Sequence, residues 1–439
     1  MKVNNRKIHG WGRTKPVDVN LINPKDVEEL KNIFSISKKE SILARGLGRS
    51  YGDSAQLKNG TILKLTEFKD IKLDKEKSEI TVGAGVSFDE ILRYIVPLGF
   101  FLPVVPGTKY ITVGGAIASD VHGKNHHKDG SFGNFVNWIE IFNDKNEVVR
   151  CSPDENSELF HWTIGGMGLT GVIIRCSIQL KKVESGWIKQ HTVVNKNLNE
   201  TLQSFNNHKE ATYSVAWIDC LAKGKSFGRS ILMLGEHAHK SEINIKSVTF
   251  PKRKNRIITL PFDAPSFLLN NFTVLAFNQL YFNLNKNKKS SYVDWDTYFY
   301  PLDSIGDWNR MYGKNGFFQF QCVLPLELSE EGYTKILSTI QNKSSGSFLA
   351  VLKDFGIGNG HLSFPKQGLT LALDFKASKK NIEVGKELID IVNNFGGSFY
   401  LAKDAIMDST QFNPIFSKDE FLKYRNSSIE SEQSIRIKL

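Results

Sequence analysis

The stretch "RGLGRSYGDSA", residues 45 to 55, sets three glycines among two arginines and one acid, directly after "SILA", which reads as a strand. Glycine gives up its side chain where another group must approach the backbone closely, and successive N–H groups in such a loop form a nest for an anion. Two further glycine clusters share the pattern: "PGTKYITVGGAIASDVHGKNHHKDGSFGN" over 106–134 and "TIGGMGLTGVII" over 163–174. One such loop is as often a plain turn. Several in one region point to a pyrophosphate cradled by more than one segment. Gly46, Gly48 and Gly52 are spaced GxGxxxG with no helical periodicity behind them, unlike the dinucleotide fingerprint, and no GxxxxGK[ST] is present to suggest an NTP hydrolase.

In "FFQFQ", Gln319 and Gln321 alternate with phenylalanines and so share one side of a strand. Two amides on an otherwise apolar strand suit recognition of hydroxyl groups; an exposed sheet face is the other reading. His122, His126 and His127 have the i, i+4 and i, i+5 spacing that can hold a metal on a helix. The glycines around them argue against a helix, and no metal is expected.

These residues need a scaffold. At 439 residues the chain is long enough for two or three domains, and 40% apolar with 23% charged residues is ordinary for a globular protein. The net charge of +11 favours anionic partners. It is spread along the chain with no basic helix or aromatic RNA-binding signature, so nucleic acid is not expected. Four cysteines stand far apart without a CxxC, which fits a reducing compartment. The N-terminus shows no signal peptide, and no run of about 20 apolar residues could span a bilayer. A cytoplasmic location follows, with peripheral attachment to the inner membrane face as a further expectation. Short strand-like segments fill residues 1 to about 185, with a helix in "SFDEILRYIVPLG" that Ser87 and Glu90 can close as a capping box. From about 187 to 396 longer strands are punctuated by two helical stretches. Strands and helices that do not alternate regularly predict an α+β fold.

The run "RGLGRSYGD", "PGTKYITVGGAIASDVHGKNHH" and "GGMGLTG" resembles the FAD-binding domain of the vanillyl-alcohol-oxidase-type flavoprotein superfamily and, within it, the decaprenylphosphoryl-β-D-ribose 2-oxidase family. The likeness extends through "GWGRT" (10–14), "YSVAWID" (213–219), "LKDFG" (352–356) and "FYLAKD" (399–404). It implies a two-domain flavoprotein. A discontinuous FAD-binding domain, 1–186 and 397–439, would enclose a substrate domain with an antiparallel sheet, 187–396. The first glycine loop would lie along the FAD pyrophosphate through Arg45, Gly46, Leu47, Gly48, Arg49, Ser50, Tyr51, Gly52, Asp53, Ser54 and Ala55. Further FAD contacts would come from Gly107, Thr112, Val113, Gly114, Gly115, Ser119, Asp120, Val121, His122, Ile174 and Tyr400. Arg49 stands where covalent members carry the flavin-linked histidine, so the flavin is expected to be held non-covalently. Lys403 matches the position that meets the reacting hydroxyl, as base or alkoxide stabiliser, with His122 and Tyr51 beside it in the catalytic set. Lys124, Trp217, Gln319, Gln321, Lys353 and Thr370 match substrate-side positions. Thr370 and Ala372 replace the family's usual Asn and Cys. The implied reaction is oxidation of a polyprenyl-phosphoryl pentose at C2, the first half of an epimerisation that a short-chain NAD(P)H-dependent reductase would complete. A sugar-alcohol or aldonolactone oxidase acting on a soluble substrate, and a non-catalytic flavin-binding subunit, are the alternatives.

Residues 252–289 pose a separate question. "KRKNR" and "NLNKNKK" flank a long apolar stretch in which Asp263 is the sole acid, and Pro261 and Pro265 argue against a spanning helix. An interfacial loop over 257–285 that meets a membrane is one reading, and an interdomain or dimer-packing segment is the other.

Overall fold

The computed structural model describes residues 4–36, 41–243, 248–252, 258–265, 268–287, 290–414 and 416–439. The first sheet contains β1 (Asn4–Ile8), β2 (Val17–Ile22), β3 (Ile42–Arg45) and β4 (Thr61–Lys64), in the order β1-β2-β4-β3. β4 runs parallel to both of its neighbours. The second sheet, of β5 (Ile71–Asp74), β6 (Glu79–Gly83), β7 (Val136–Phe142), β8 (Val148–Cys151) and β9 (Val172–Gln179), is antiparallel in the order β5-β6-β9-β7-β8. Helix α1 (Phe88–Ile95) follows β6, and Ser87 and Glu90 close its N-terminus as the capping box the sequence predicts. Its Phe88, Ile91, Leu92 and Ile95 recur at helical spacing and are buried against this sheet.

The third sheet is antiparallel: β10 (Trp187–Asn195), β11 (Tyr213–Ile218), β12 (Ser230–His237), β13 (Ser290–Asp294), β14 (Phe317–Leu324), β15 (Ala350–Phe355), β16 (Gly368–Lys376) and β17 (Ser398–Phe399), in the order β13-β10-β12-β11-β15-β16-β14-β17. The expected α+β architecture is the observed one. Apolar residues of this sheet pack against the helices Ser329–Asn342 and Lys379–Asn394. The opposite face is left for the site.

Two boundaries differ from expectation. β17 pairs with β14 through Cys322↔Phe399 and Val323↔Ser398, so the third sheet runs past residue 396. Trp295, Tyr298, Phe299 and Tyr300 leave the substrate segment and are buried with the core of the second sheet. Beyond β17 the chain returns to the first sheet, where Phe421, Ile429, Ile437 and Leu439 are buried beside Ile42 and Leu43. The described residues of the 257–285 segment include a short strand, Ile258–Thr259, and helix α2 (Asn271–Asn285). Asn270 caps α2 by accepting from Phe272 N (2.8 Å) and Thr273 N (3.1 Å). Ile257 and Phe267, with Arg253 to Arg256 and Lys288 and Lys289 of the flanking basic clusters, lie outside the described residues. No helix among the described residues is long and apolar enough to cross a membrane.

Candidate active site

A cavity of about 1270 Å³ opens between the three glycine loops and the free face of the third sheet. It exceeds the ~300–1,000 Å³ usual for a single small ligand, so it has room for a dinucleotide with a substrate beside it. One glycine tests that fit. A Cβ on Gly107 would meet no protein atom within 4 Å and its φ is not left-handed, so nothing within the described chain explains a glycine there. Gly107 lines the cavity and leaves backbone open to a ligand. The first loop is held rigid from below: Arg45 donates to the Ala55 carbonyl (2.6 Å) and the His9 carbonyl (2.7 Å). Burial lowers its pKa to about 10. Arg49 lies 4.1 Å above the Trp11 ring on the cavity wall.

Of the residues expected to contact FAD, the run Arg45 to Tyr51 lines the cavity, as do Ser54, Ala55, Gly107, Thr112, Gly114, Gly115, Ser119, Val121, His122 and Tyr400. Five others stand outside its wall, each for a packing reason. A Cβ on Gly52 would lie 1.9 Å from the Asp404 carbonyl oxygen, so this glycine serves a close backbone crossing. Asp53 pairs with Arg436 (2.9 and 2.6 Å), which also reaches Asp404 at 2.9 Å and ties the C-terminus to the loop. Val113 belongs to the apolar core. Ile174 points into the core of the first sheet while its neighbour Ile173 lines the cavity. Asp120 is fully buried with a left-handed φ of 37° and accepts from Ser131 Oγ (2.6 Å), Gly133 N (2.8 Å), Asn359 Nδ2 (3.1 Å) and Ser363 Oγ. It clasps the second glycine loop to the 356–367 loop of the third sheet.

The polar end of the cavity gathers the expected reactive residues. Lys403 Nζ sits 3.5 Å from the centre of the Tyr51 ring. Tyr51 is held edge-on to Phe317 (5.2 Å), within an aromatic cluster that includes Trp308 and Tyr312. Burial lowers the pKa of Lys403; Asp374 opposes that shift and Lys353 adds to it. Lys353, also buried, is lowered to about 8. Gln319 and Gln321 face the cavity together, as their alternation requires. Gln319 donates to Asp374, which also accepts from Tyr312 Oη at 3.2 Å. Gln321 Nε2 donates to His122 Nε2 (2.9 Å), leaving that nitrogen unprotonated. Burial, then Lys353, His126 and Lys403, hold the His122 pKa well below its ordinary value, so the ring is neutral. Thr370 lies one register step beyond the wall: it donates to the Cys322 carbonyl (2.8 Å) and accepts from Gln321 (3.3 Å), so it supports the amide from behind while Ala372 lines the cavity.

The FAD binding domain family matches residues 20–152. Decaprenylphosphoryl-β-D-ribose oxidase of Mycolicibacterium smegmatis is 36% identical over 433 residues, covering 96% of this chain and 94% of the relative. The chain belongs to the decaprenylphosphoryl-β-D-ribose oxidase family. Cytokinin dehydrogenase 2 of Arabidopsis thaliana is 31% identical over 141 residues, 32% of this chain and 28% of that protein. Cytokinin dehydrogenase 3 of Oryza sativa subsp. japonica is 28% identical over 166 residues, 36% and 32% of the two chains. The protein is an FAD-dependent oxidoreductase, and FAD is the cofactor that the glycine cradle fits.

The cavity has a second, less polar arm. Lys124 donates to the Tyr298 carbonyl and lies 4.1 Å above the Tyr298 ring; burial, then Lys353, lowers its pKa to about 7. Trp217 faces Tyr281 of α2 (4.9 Å), and Phe277 of α2 faces Phe348 (4.8 Å). Val215, Met233 and Val351 extend this apolar floor across the sheet. Contrary to the glycine-based expectation, His126–Asp129 forms one helical turn. Its His126 accepts from Gly356 N (3.2 Å) and a ring nitrogen of His127 meets the Ala211 carbonyl (2.8 Å), so both position backbone. Sequence reasoning missed Asp374 and Tyr298. Asp374 was within reach, because strand alternation places it with Ala372 and opposite Gln319. Tyr298 carries no comparable signal.

Proposed function

We propose that this enzyme oxidises a secondary hydroxyl of a lipid-linked sugar, a polyprenyl-phosphoryl pentose at C2, to the 2-keto sugar. The observation that carries the reading is Lys403, a buried amine of lowered pKa on the cavity wall beside Gln319, Gln321 and Lys353. Bound FAD supplies the hydride acceptor. Neutral Lys403 accepts the hydroxyl proton, and its ammonium form is received by the Tyr51 ring face and the Asp374 carboxylate. Gln319 and Gln321, oriented by Asp374 and His122, hold the sugar hydroxyls. Lys353 and Lys124 supply positive charge for the phosphoryl group. The apolar floor through Val215, Trp217 and Met233 favours a lipid carrier over a soluble sugar alcohol. The ketone product calls for a second enzyme to invert the carbon, and we propose a short-chain NAD(P)H-dependent reductase as that partner.

The test is Lys403→Ala. The variant is expected to keep its FAD and to bleach at least about 10²-fold more slowly with the lipid-linked pentose under anaerobic conditions, the scale of a lost general base. Acid denaturation is expected to release the flavin free, because Arg49 cannot form the histidine linkage. Bleaching at the wild-type rate would reject Lys403 as the base.

A further inference from the structure

Two acids stand beside the reactive residues in the chain: Asp53 two positions after Tyr51, and Asp404 next to Lys403. Tyr51, Ala402 and Lys403 line the cavity, whereas neither acid does. The two segments meet at one backbone hydrogen bond, from Tyr51 N to the Ala402 carbonyl (2.9 Å), with Gly52 pressed against the Asp404 carbonyl. A single hydrogen bond fixes a distance but leaves such a crossing free to swivel. Tyr51 and Lys403, whose side chains meet in the cavity, both ride on that crossing.

Arg436 removes this freedom from the far side. Its Nε and Nη2 take both oxygens of Asp53 (2.9 and 2.6 Å), and its Nη1 reaches Asp404 (2.9 Å) and donates to the Met407 carbonyl. Among the described residues it is the one cation paired with either acid. None of the three side chains is more than 16% exposed, so water does not replace the fork. A planar guanidinium that grips both acids sets the angle between the two segments, which the point charge of a lysine would not. Asp404 is itself fixed, since its other oxygen accepts from Ile406 N (3.0 Å) and Met407 N (2.9 Å). The helix that carries the arginine, Glu432–Ile437, is tied to both segments. Glu432 N donates to the Gln56 carbonyl (2.8 Å), and Gln433 Nε2 to the Leu401 carbonyl (2.7 Å).

We infer that Arg436, which lies outside the cavity wall, is a positioning residue: it sets the placement of Lys403 against Tyr51 and of the first glycine loop against FAD. The effect on the base rests on the reading of Lys403 above; the effect on the loop does not. Arg436→Lys keeps the charge and loses the fork. With saturating FAD, this variant should slow the limiting rate of anaerobic flavin bleaching about tenfold and leave the half-saturating concentration of the lipid-linked pentose unchanged. It should also weaken FAD binding to the apoprotein about fivefold in a fluorescence titration. Phe421→Leu loosens the core of the same C-terminal return away from the clasp. It should lower the urea midpoint yet keep both the bleaching rate and the FAD affinity of the wild type. Should Arg436→Lys fail to fold, Asp53→Asn, which keeps the Arg436–Asp404 pair, is expected to show the same two losses. A folded clasp variant with wild-type bleaching or wild-type FAD affinity would overturn the inference. So would a raised half-saturating concentration at an unchanged limiting rate, or equal losses in Phe421→Leu. If Lys403→Ala itself bleaches at the wild-type rate, the base reading fails and the FAD titration alone decides whether the clasp holds the loop.

Discussion

Lys403 is set by two neighbours of opposite sign, and this gives the reaction a pH dependence that can be steered. Deprotonated amine is the active form, so flavin reduction should rise with pH through the lowered Lys403 pKa and then level off. Lys353 pushes that pKa down and Asp374 pulls it up. Lys353→Met should therefore move the rising limb to higher pH, and Asp374→Asn should move it to lower pH, each by about 1 unit. The measurement is the anaerobic rate of flavin bleaching between pH 5 and 10 in the three proteins. A limb that stays in place in both variants would assign the base to another group. The opposing roles of these residues were only half legible. Lys403 is one of 57 Lys and Arg residues and stands out solely through its family position. Asp374 is announced by strand alternation, because a single acid in "LTLALDF" must face either a partner or a site.

At the scale of elements, glycines that look alike in the sequence divide into two classes. Gly52 fills a crossing with Asp404, whereas Gly107 fills nothing inside the protein. Gly52→Ala should destabilise the fold by about 1–3 kcal/mol, measured by urea denaturation. Gly107→Ala should leave the denaturation midpoint of the apoprotein unchanged and weaken FAD binding in a fluorescence titration. If Gly107→Ala instead lowered stability without touching FAD affinity, its position in the cradle would be refuted. The sequence could not separate these classes, because the residues that crowd Gly52 lie some 350 positions away along the chain. Local signals were read more fully. The Ser87–Glu90 capping box and the Gln319–Gln321 alternation depend only on neighbours within a few residues, and both are as expected. Helix α2 escaped because its packed, cavity-facing and exposed sides all carry apolar residues, while its polar residues, among them the buried Asn278 and the exposed Gln279 and Asn283, are not gathered on the solvent side.

The molecule as a whole concentrates positive charge where burial resists it. Lys124, Lys353 and Lys403 all line the cavity, and burial lowers the pKa of each. Such a site is ready for the phosphoryl charges of its ligands, but in the free protein it opposes folding at neutral pH. The sign follows from proton counts. Between the lowered folded pKa values, about 7 for Lys124 and about 8 for Lys353, and the unfolded value near 10.4, the unfolded chain holds more protons, so stability rises with pH. The limit is about 1.4 kcal/mol per pH unit for each lysine. The window closes above about pH 8.5, where unfolded cysteines ionise more readily than the four buried thiols, whose pKa values burial raises. Urea denaturation of the apoprotein should therefore show stability increasing from pH 7 to 8.5. Lys124→Met, which removes a titrating group that donates to the Tyr298 carbonyl, should flatten that rise by about one lysine's share. Inorganic phosphate at the cavity should flatten it too, because an anion raises the lysine pKa values and binds more weakly as the pH climbs. A stability that falls across this window, or a slope that Lys124→Met leaves intact, would mean that these lysines meet solvent more freely than their burial indicates.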